Sequence, residues 1–240
     1  MVYIVFMKGC IILFGESFRL GGQNTRNRGS DESYNEQIQA SQSQMSFIKH
    51  LYSKNVNAYV YISSYETKFN NELCKVYADV LIGCDFYDNL IGQEMLIKNT
   101  INQITIEKFD FVLFMRIDLF IKNYFLEIFN PQWDKIMWPS ICFKPYHKCG
   151  IHPRVNDMMG FFPRKYYSYF KYLYYNPTGH DQWAYFVNNT DLNYDCLDTM
   201  INTFHDSDSE KDFNPLYYIV NRPESKIHHN KGDIFNKFVF

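Results

Sequence analysis

Apolar positions along this chain fall into short runs of strand length, separated by stretches of helical period. The opening run, MVYIVFMKGCIILFG, is divided by Lys8 and Gly9, and residues 10–14 predict a strand buried on both faces. After a polar loop, Tyr34, Ile38, Met45, Ile48 and Leu51 recur at three- and four-residue steps, with Ser41 filling the gap, and predict a helix with one apolar face. Ser33-x-x-Glu36 in front of it has the form of a capping box. Residues 56–63, VNAYVYIS, alternate as a strand, and a short helix around 69–77 and a short strand at 80–84 follow. Leu90, Glu94, Met95, Lys98, Ile101 and Ile104 mark a further helix. It leads into FDFVLFMRIDL at 109–119, read as one strand whose apolar run from Phe111 to Met115 ends in Arg116-Ile117-Asp118.

Strands and helices alternating in this way predict a mostly parallel sheet with right-handed crossovers. Beyond Asp118 the pattern is less regular. Strands are predicted at 134–139, 155–162 and 214–220, and an aromatic helix at 163–175 with Pro163 in its first turn. A short helix is predicted at 181–188, capped by Asp181. No internal repeat or linker interrupts the 240 residues, so the expected fold class is α/β: a single domain with a mostly parallel central sheet flanked by helices.

Composition narrows the function only in part. A hydrophobic share of 46% with 21% charged residues describes a globular chain. A formal charge of −2 and the lack of a basic block remove the electrostatic case for a nucleic-acid surface. Six cysteines without framework spacing fit a reducing compartment. The opening run is shorter than the roughly 20 residues of a membrane span, and it has neither a basic n-region nor a cleavage site. A cytoplasmic protein without a transmembrane segment is therefore expected. The 22 Phe and 20 Tyr exceed what packing requires, yet composition does not place them on a sugar-binding surface.

Four polar clusters interrupt the apolar framework. The loop GESFRLGGQNTRNRGSDES holds Gly15, Gly21, Gly22 and Gly29 beside Arg19, Arg26 and Arg28. Glycines let backbone amides approach a phosphate and arginine binds it through two N–H groups; a surface loop with solvated arginines has the same composition. Arg116 and Asp118, at the end of a buried strand, are either a site or an ion pair that closes the sheet. GHDQW places His180, Asp181 and Trp183 at a helix start, where Asp181 could accept a proton from a hydroxyl or simply cap the helix. His228 and His229 stand near the end of the chain. Cys142, His147, Cys149 and His152 crowd one loop, but their spacing fits no standard zinc finger. Asp157, in RVNDMMGFF, is a candidate for the acceptor or sugar side of a cleft, or part of a turn before a strand.

Taken in order, FGESFRLGGQNTRNRG, FVLFMRIDL, RVNDMMGFFPRKYY and GHDQW resemble glycosyltransferases of the GT-A type, including ones encoded by large DNA viruses of algae. The resemblance runs from about residue 11 to about residue 186. It implies one GT-A-like domain, with a Rossmann-like nucleotide-sugar-binding half over about 10–120 and an acceptor-binding half over about 121–240. It implies a nucleoside diphosphate sugar as donor, UDP-linked by preference and GDP-linked as the alternative, and a glycan as acceptor. Asp181 would be the base of an inverting transfer, and Gly15, Arg19, Gly21, Gly22, Arg26, Arg28 and Arg116 would hold the diphosphate. Asp118 with His228 or His229 would hold Mn²⁺ or Mg²⁺. The family's metal motif is Asp-x-Asp, and here Arg116 stands in the first position, which puts a metal requirement in question. A noncatalytic glycan-binding protein and a nucleotide-sugar hydrolase are the alternative functions.

Overall fold

A computed structural model describes residues 6–21, 27–130, 133–139, 141–142, 154–155, 158–175, 194–196 and 216–220 of the chain. In chain order the first half runs β1 (Met7–Gly15), a short pair β2 (Arg19–Leu20) and β3 (Asn27–Arg28), α1 (Tyr34–Ser53), β4 (Val56–Tyr65), α2 (Asn70–Val76), β5 (Leu81–Tyr87), α3 (Gln93–Gln103) and β6 (Phe111–Arg116). The remainder comprises β7 (Leu119–Ile121), α4 (Asn123–Ile128), β8 (Ile136–Trp138), β9 (Ile141–Cys142), β10 (Arg154–Val155), β11 (Met159–Pro163), α5 (Tyr167–Tyr175), β12 (Tyr194–Cys196) and β13 (Tyr217–Ile219).

Seven of these strands form one sheet in the order β12-β8-β11-β6-β1-β4-β5. β1 is parallel to both β4 and β6, β4 to β5 and β8 to β12, whereas β11 runs antiparallel between β6 and β8. The α/β class and the mostly parallel sheet expected from the alternation of periods are therefore present. The chain moves outward from β1 to β4 and β5, then crosses back over β1 to reach β6. The strand order reverses between β1 and β6, and in open α/β sheets the crevice beyond the carboxyl ends at such a reversal is where ligands bind.

The central strands are buried on both faces because each carries apolar side chains of both parities. Ile11 and Leu13 of β1, with Phe111, Leu113 and Met115 of β6, join one apolar layer with Phe47, Ile48 and Leu51 of α1. Cys10, Ile12 and Phe14, with Val112 and Phe114, join the opposite layer with Leu96, Ile97 and Ile101 of α3 and Phe170 of α5. Many aromatic residues are spent here. Phe114 lies within 6.2 Å, ring centre to ring centre, of Phe14, Trp138, Phe162 and Phe170, and Phe47 meets Phe125 and Phe129 at 5.3 and 5.0 Å. Gly160 lies opposite Phe114, and a Cβ there would fall 2.6 Å from both Phe114 and Trp138.

Two local expectations are corrected. Residues 109–119 are not one strand: β6 ends at Arg116, and β7 leaves the sheet to pair with β13. At that turn the Arg116 and Asp118 side chains pair with each other, and the Ile117 N–H donates to the Phe14 carbonyl at 2.8 Å. The capping box at Ser33 and Glu36 is not formed. Ser33 already has helical dihedrals at the end of a 3₁₀ turn, and its hydroxyl donates backward to the Ser30 carbonyl at 2.8 Å. The helix expected at 181–188 lies outside the described residues.

Candidate functional site

The site grows from the carboxyl end of β1. Gly15 takes φ +114°, a region that L side chains rarely adopt, and lets the chain leave the sheet in a tight turn. That turn is tied to β4: Ser64 Oγ donates to the Gly15 carbonyl at 2.8 Å, and the Ser17 N–H donates to Ser64 Oγ at 3.3 Å. Phe18 follows with φ +50° and packs against the rings of Tyr34 and Phe69, which also touch each other. Its carbonyl accepts the Gly29 N–H at 2.9 Å, which closes the base of a hairpin.

The arginine and glycine loop is thus a hairpin. β2 pairs antiparallel with β3, with Arg19 opposite Arg28, and Gly21, directly after β2, takes φ +94°. Arg19 turns inward and its side chain is 4% exposed. One of its terminal nitrogens is 3.6 Å from Glu16 Oε2 and the other 3.7 Å from Asp118 Oδ2. Arg28 turns the other way, over the ring of Tyr65, with its guanidinium carbon 5.1 Å from the ring centre. Arg28 Nη1 is buried and has no hydrogen-bond partner among the described residues. Burial pushes the Tyr65 phenol up, and the nearby Glu16 charge adds to that shift.

The end of β6 supplies the other half. Arg116 donates from Nε to Asp118 Oδ1 at 2.8 Å and from Nη2 to Oδ2 at 2.5 Å, a two-pronged pair in which Asp118 is 2% exposed. Glu16, Arg19, Asp118 and Arg116 therefore form a line of alternating charge at the carboxyl ends of β1 and β6, and Arg28 adds a third guanidinium over the Tyr65 ring.

Arg19, Arg28, Arg116, Asp118, Gly15 and Gly21 are brought to this one end of the sheet. Gly22, Arg26, Asp157, His180, Asp181, Trp183, His228 and His229 lie outside the described residues. Glu16, Ser17, Ser64, Tyr65, Gln37 and Gln44 also belong to the site's immediate frame, and sequence reasoning did not single them out. Glu16 carried a signal, a carboxylate directly after a strand; the two glutamines looked like ordinary polar positions on a helix.

A divalent cation does not suit the described residues as they stand. Both Asp118 oxygens are taken by Arg116, and a second guanidinium, that of Arg19, stands 3.7 Å from Oδ2. Among the described residues no group of three or more His, Cys, Asp or Glu could hold a metal. The arrangement instead suits an anion, whose oxygens can take N–H donors from guanidinium groups. No described helix is long and apolar enough to cross a membrane.

No protein-family model and no curated protein sequence matches the chain. Among solved structures it is similar to a Drosophila β1,4-galactosyltransferase 7, crystallised with manganese, UDP-Gal and xylobiose, at 12% identity and a TM-score of 0.36. That likeness covers 68% of this chain and 51% of the other, so the chain spans about half the length of that enzyme. It is similar to a glycosyltransferase involved in glycosylation of the major capsid of the virus PBCV-1, at 7% identity and a TM-score of 0.37, covering 72% of this chain and 68% of that one. It is also similar to a 4-diphosphocytidyl-2C-methyl-D-erythritol synthase of Anaerococcus prevotii, at 12% identity and a TM-score of 0.47, covering 82% and 91%.

Proposed function

We propose that this protein is a glycosyltransferase that moves a sugar from a nucleoside diphosphate donor to a hydroxyl of a glycan. One observation carries the reading: Arg116 and Arg19 meet at Asp118, with Arg28 on the same hairpin as Arg19, at the end of the sheet where the strand order reverses between β1 and β6. Ligands of open α/β sheets collect at that place, and guanidinium groups there favour a diphosphate. UDP is the preferred nucleotide of this reading and GDP the alternative.

In the transfer the acceptor oxygen bonds to the anomeric carbon as the bond from that carbon to the diphosphate oxygen breaks, and the nucleoside diphosphate leaves. Negative charge grows on the leaving oxygens. Fixed guanidinium groups aimed at that charge lower the barrier because they are already oriented before reaction. Asp181 is the proposed base that takes the acceptor proton, on the face of the sugar opposite the leaving group, which gives inversion. Asp157, His180 and Trp183 are proposed for the acceptor side. In this reading the guanidinium groups carry the charge-neutralising role for which the family uses a metal, and no step is routed through Mn²⁺ or Mg²⁺.

Thermal unfolding with UDP and with GDP, each in Mn²⁺, in Mg²⁺ and in chelator, tests the donor half. A ligand at 100 times its dissociation constant adds about 2.7 kcal/mol. The expected result is stabilisation by one nucleotide that survives chelator. Stabilisation that needs the cation would return Asp118, His228 and His229 to the role of metal ligands. No stabilisation by either nucleotide overturns the reading.

A further inference from the structure

Gln37 and Gln44 lie on one face of α1, seven residues or about two turns apart, and both are fully buried. A buried amide is costly unless its nitrogen and its oxygen both find hydrogen-bond partners. Gln37 Nε2 donates to the Ile117 carbonyl at 2.8 Å, and its Oε1 accepts the Phe18 N–H at 3.1 Å. Gln44 Nε2 donates to the Leu119 carbonyl at 2.7 Å and to that of Ile117 at 3.2 Å, while its Oε1 accepts the Tyr77 hydroxyl at 2.5 Å. Neither amide can be turned over. Phe18 N–H can only donate and the Ile117 and Leu119 carbonyls can only accept, so the partners dictate which end is nitrogen.

The Ile117 carbonyl lies between the end of β6 and the start of β7, and Leu119 is the first residue of β7. Ile117 sits between Arg116 and Asp118, and Phe18 directly precedes Arg19. One side chain, Gln37, therefore bridges the two charged segments of the site, and Gln44 holds the far side of the Arg116–Asp118 turn. Ser43 adds a third tie, its hydroxyl accepting the Ile121 N–H at 2.8 Å.

We infer that Gln37 and Gln44 are positioning residues of the anion site, setting the placement of the Arg116–Asp118 pair against Arg19. The inference deepens the donor reading above and rests on it. It makes a chemical demand: both positions must donate a hydrogen bond to a carbonyl. A neutral glutamic acid at position 44 can do so, because its carbonyl oxygen accepts from Tyr77 and its O–H donates to Leu119. A carboxylate cannot, and burial opposite carbonyl oxygens raises its pKa.

The test measures the affinity of wild type, Gln44→Glu and Gln44→Met for UDP and for GDP at about pH 5 and about pH 8, a range across which a buried Glu can titrate. Amide exchange over residues 116–121, corrected for intrinsic pH dependence, is followed alongside. For Gln44→Glu the expected result is near wild-type affinity and exchange at the lower pH, with affinity weaker by about tenfold or more and faster exchange at the higher one. Gln44→Met is weak at both. Gln37→Glu serves in the same way if the first variant does not fold at the higher pH. Equal affinity and exchange at both pH values in Gln44→Glu overturns the inference. If wild type binds neither nucleotide, the donor reading fails separately. The exchange arm then still decides: opening of 116–121 only at the higher pH upholds the positioning role, and flat exchange removes it.

Discussion

Arg19 and Arg28 stand directly opposite each other across the β2–β3 hairpin, so two guanidinium groups leave the same side of one ribbon. Like charges in that register oppose pairing unless each has its own partner. Arg19 is neutralised inside, between Glu16 and Asp118, while Arg28 lies half-buried on the Tyr65 ring. The two arginines therefore have separable roles. Arg19→Met leaves buried carboxylates with one cation fewer and is expected to cost about 3–5 kcal/mol. Arg28→Met is expected to cost under about 1 kcal/mol, since a half-exposed cation–π contact is worth about that much, yet to abolish stabilisation by the nucleoside diphosphate. Urea unfolding with and without UDP or GDP checks both; equal losses of stability would merge the two roles.

Asp118 separates the Arg116 and Arg19 guanidinium groups, and Asp118→Asn removes that charge at constant size. The expected loss is about 3–5 kcal/mol. Added salt should change that loss little, because buried charges are poorly screened. Chemical unfolding at low and high ionic strength measures it. A variant as stable as wild type that has lost only a response to Mn²⁺ would instead mark Asp118 as a metal ligand.

The approach of β11 to β6 leaves no room for a side chain at Gly160. Gly160→Ala places a Cβ 2.6 Å from the Phe114 and Trp138 rings, which themselves pack on Phe162. Overpacking of this kind costs about 1–3 kcal/mol, and the loss should appear in the thermal midpoint with the far-ultraviolet spectrum unchanged.

Thiol reactivity should follow burial. Desolvation pushes Cys10 up to about 12 and Cys74 up to about 11, while Cys84 is exposed. Alkylation of the native protein at about pH 8, near the ordinary thiol pKa, is expected to label Cys84 well ahead of Cys74, and Cys74 ahead of Cys10. Peptide mapping of the alkylated chain gives the order; early modification of Cys10 would mean that β1 opens readily.

Much of the scaffold was legible because its signals are local. A period of two in VNAYVYIS, a period of three to four in the helix before it and the unbroken apolar run before Arg116 each occupy neighbouring residues, and alternating them leads to a parallel sheet. Boundaries failed where a side chain took a partner that its spacing does not announce. Nothing between 109 and 119 announces that Arg116 and Asp118 will pair with each other, and Ser33 with Glu36 has the spelling of a capping box while its hydroxyl is used elsewhere. The aromatic excess was equally silent about place: the Phe114 and Phe47 clusters put many of those rings inside the protein.

By itself the sequence determined the alternation of strands and helices, the arginines and glycines after the first strand and the charged end of the central one, because each is written in neighbouring residues. Tertiary structure decided the rest: that Asp118 lies between two guanidinium groups, that Arg19 and Arg28 diverge from one hairpin, and that Gln37 and Gln44 hold the turn between them. Those contacts join residues as far as 80 and 75 positions apart. No local period reports on such pairs; only closure of the sheet, which lays the ends of β1 and β6 under α1, brings them within hydrogen-bond distance.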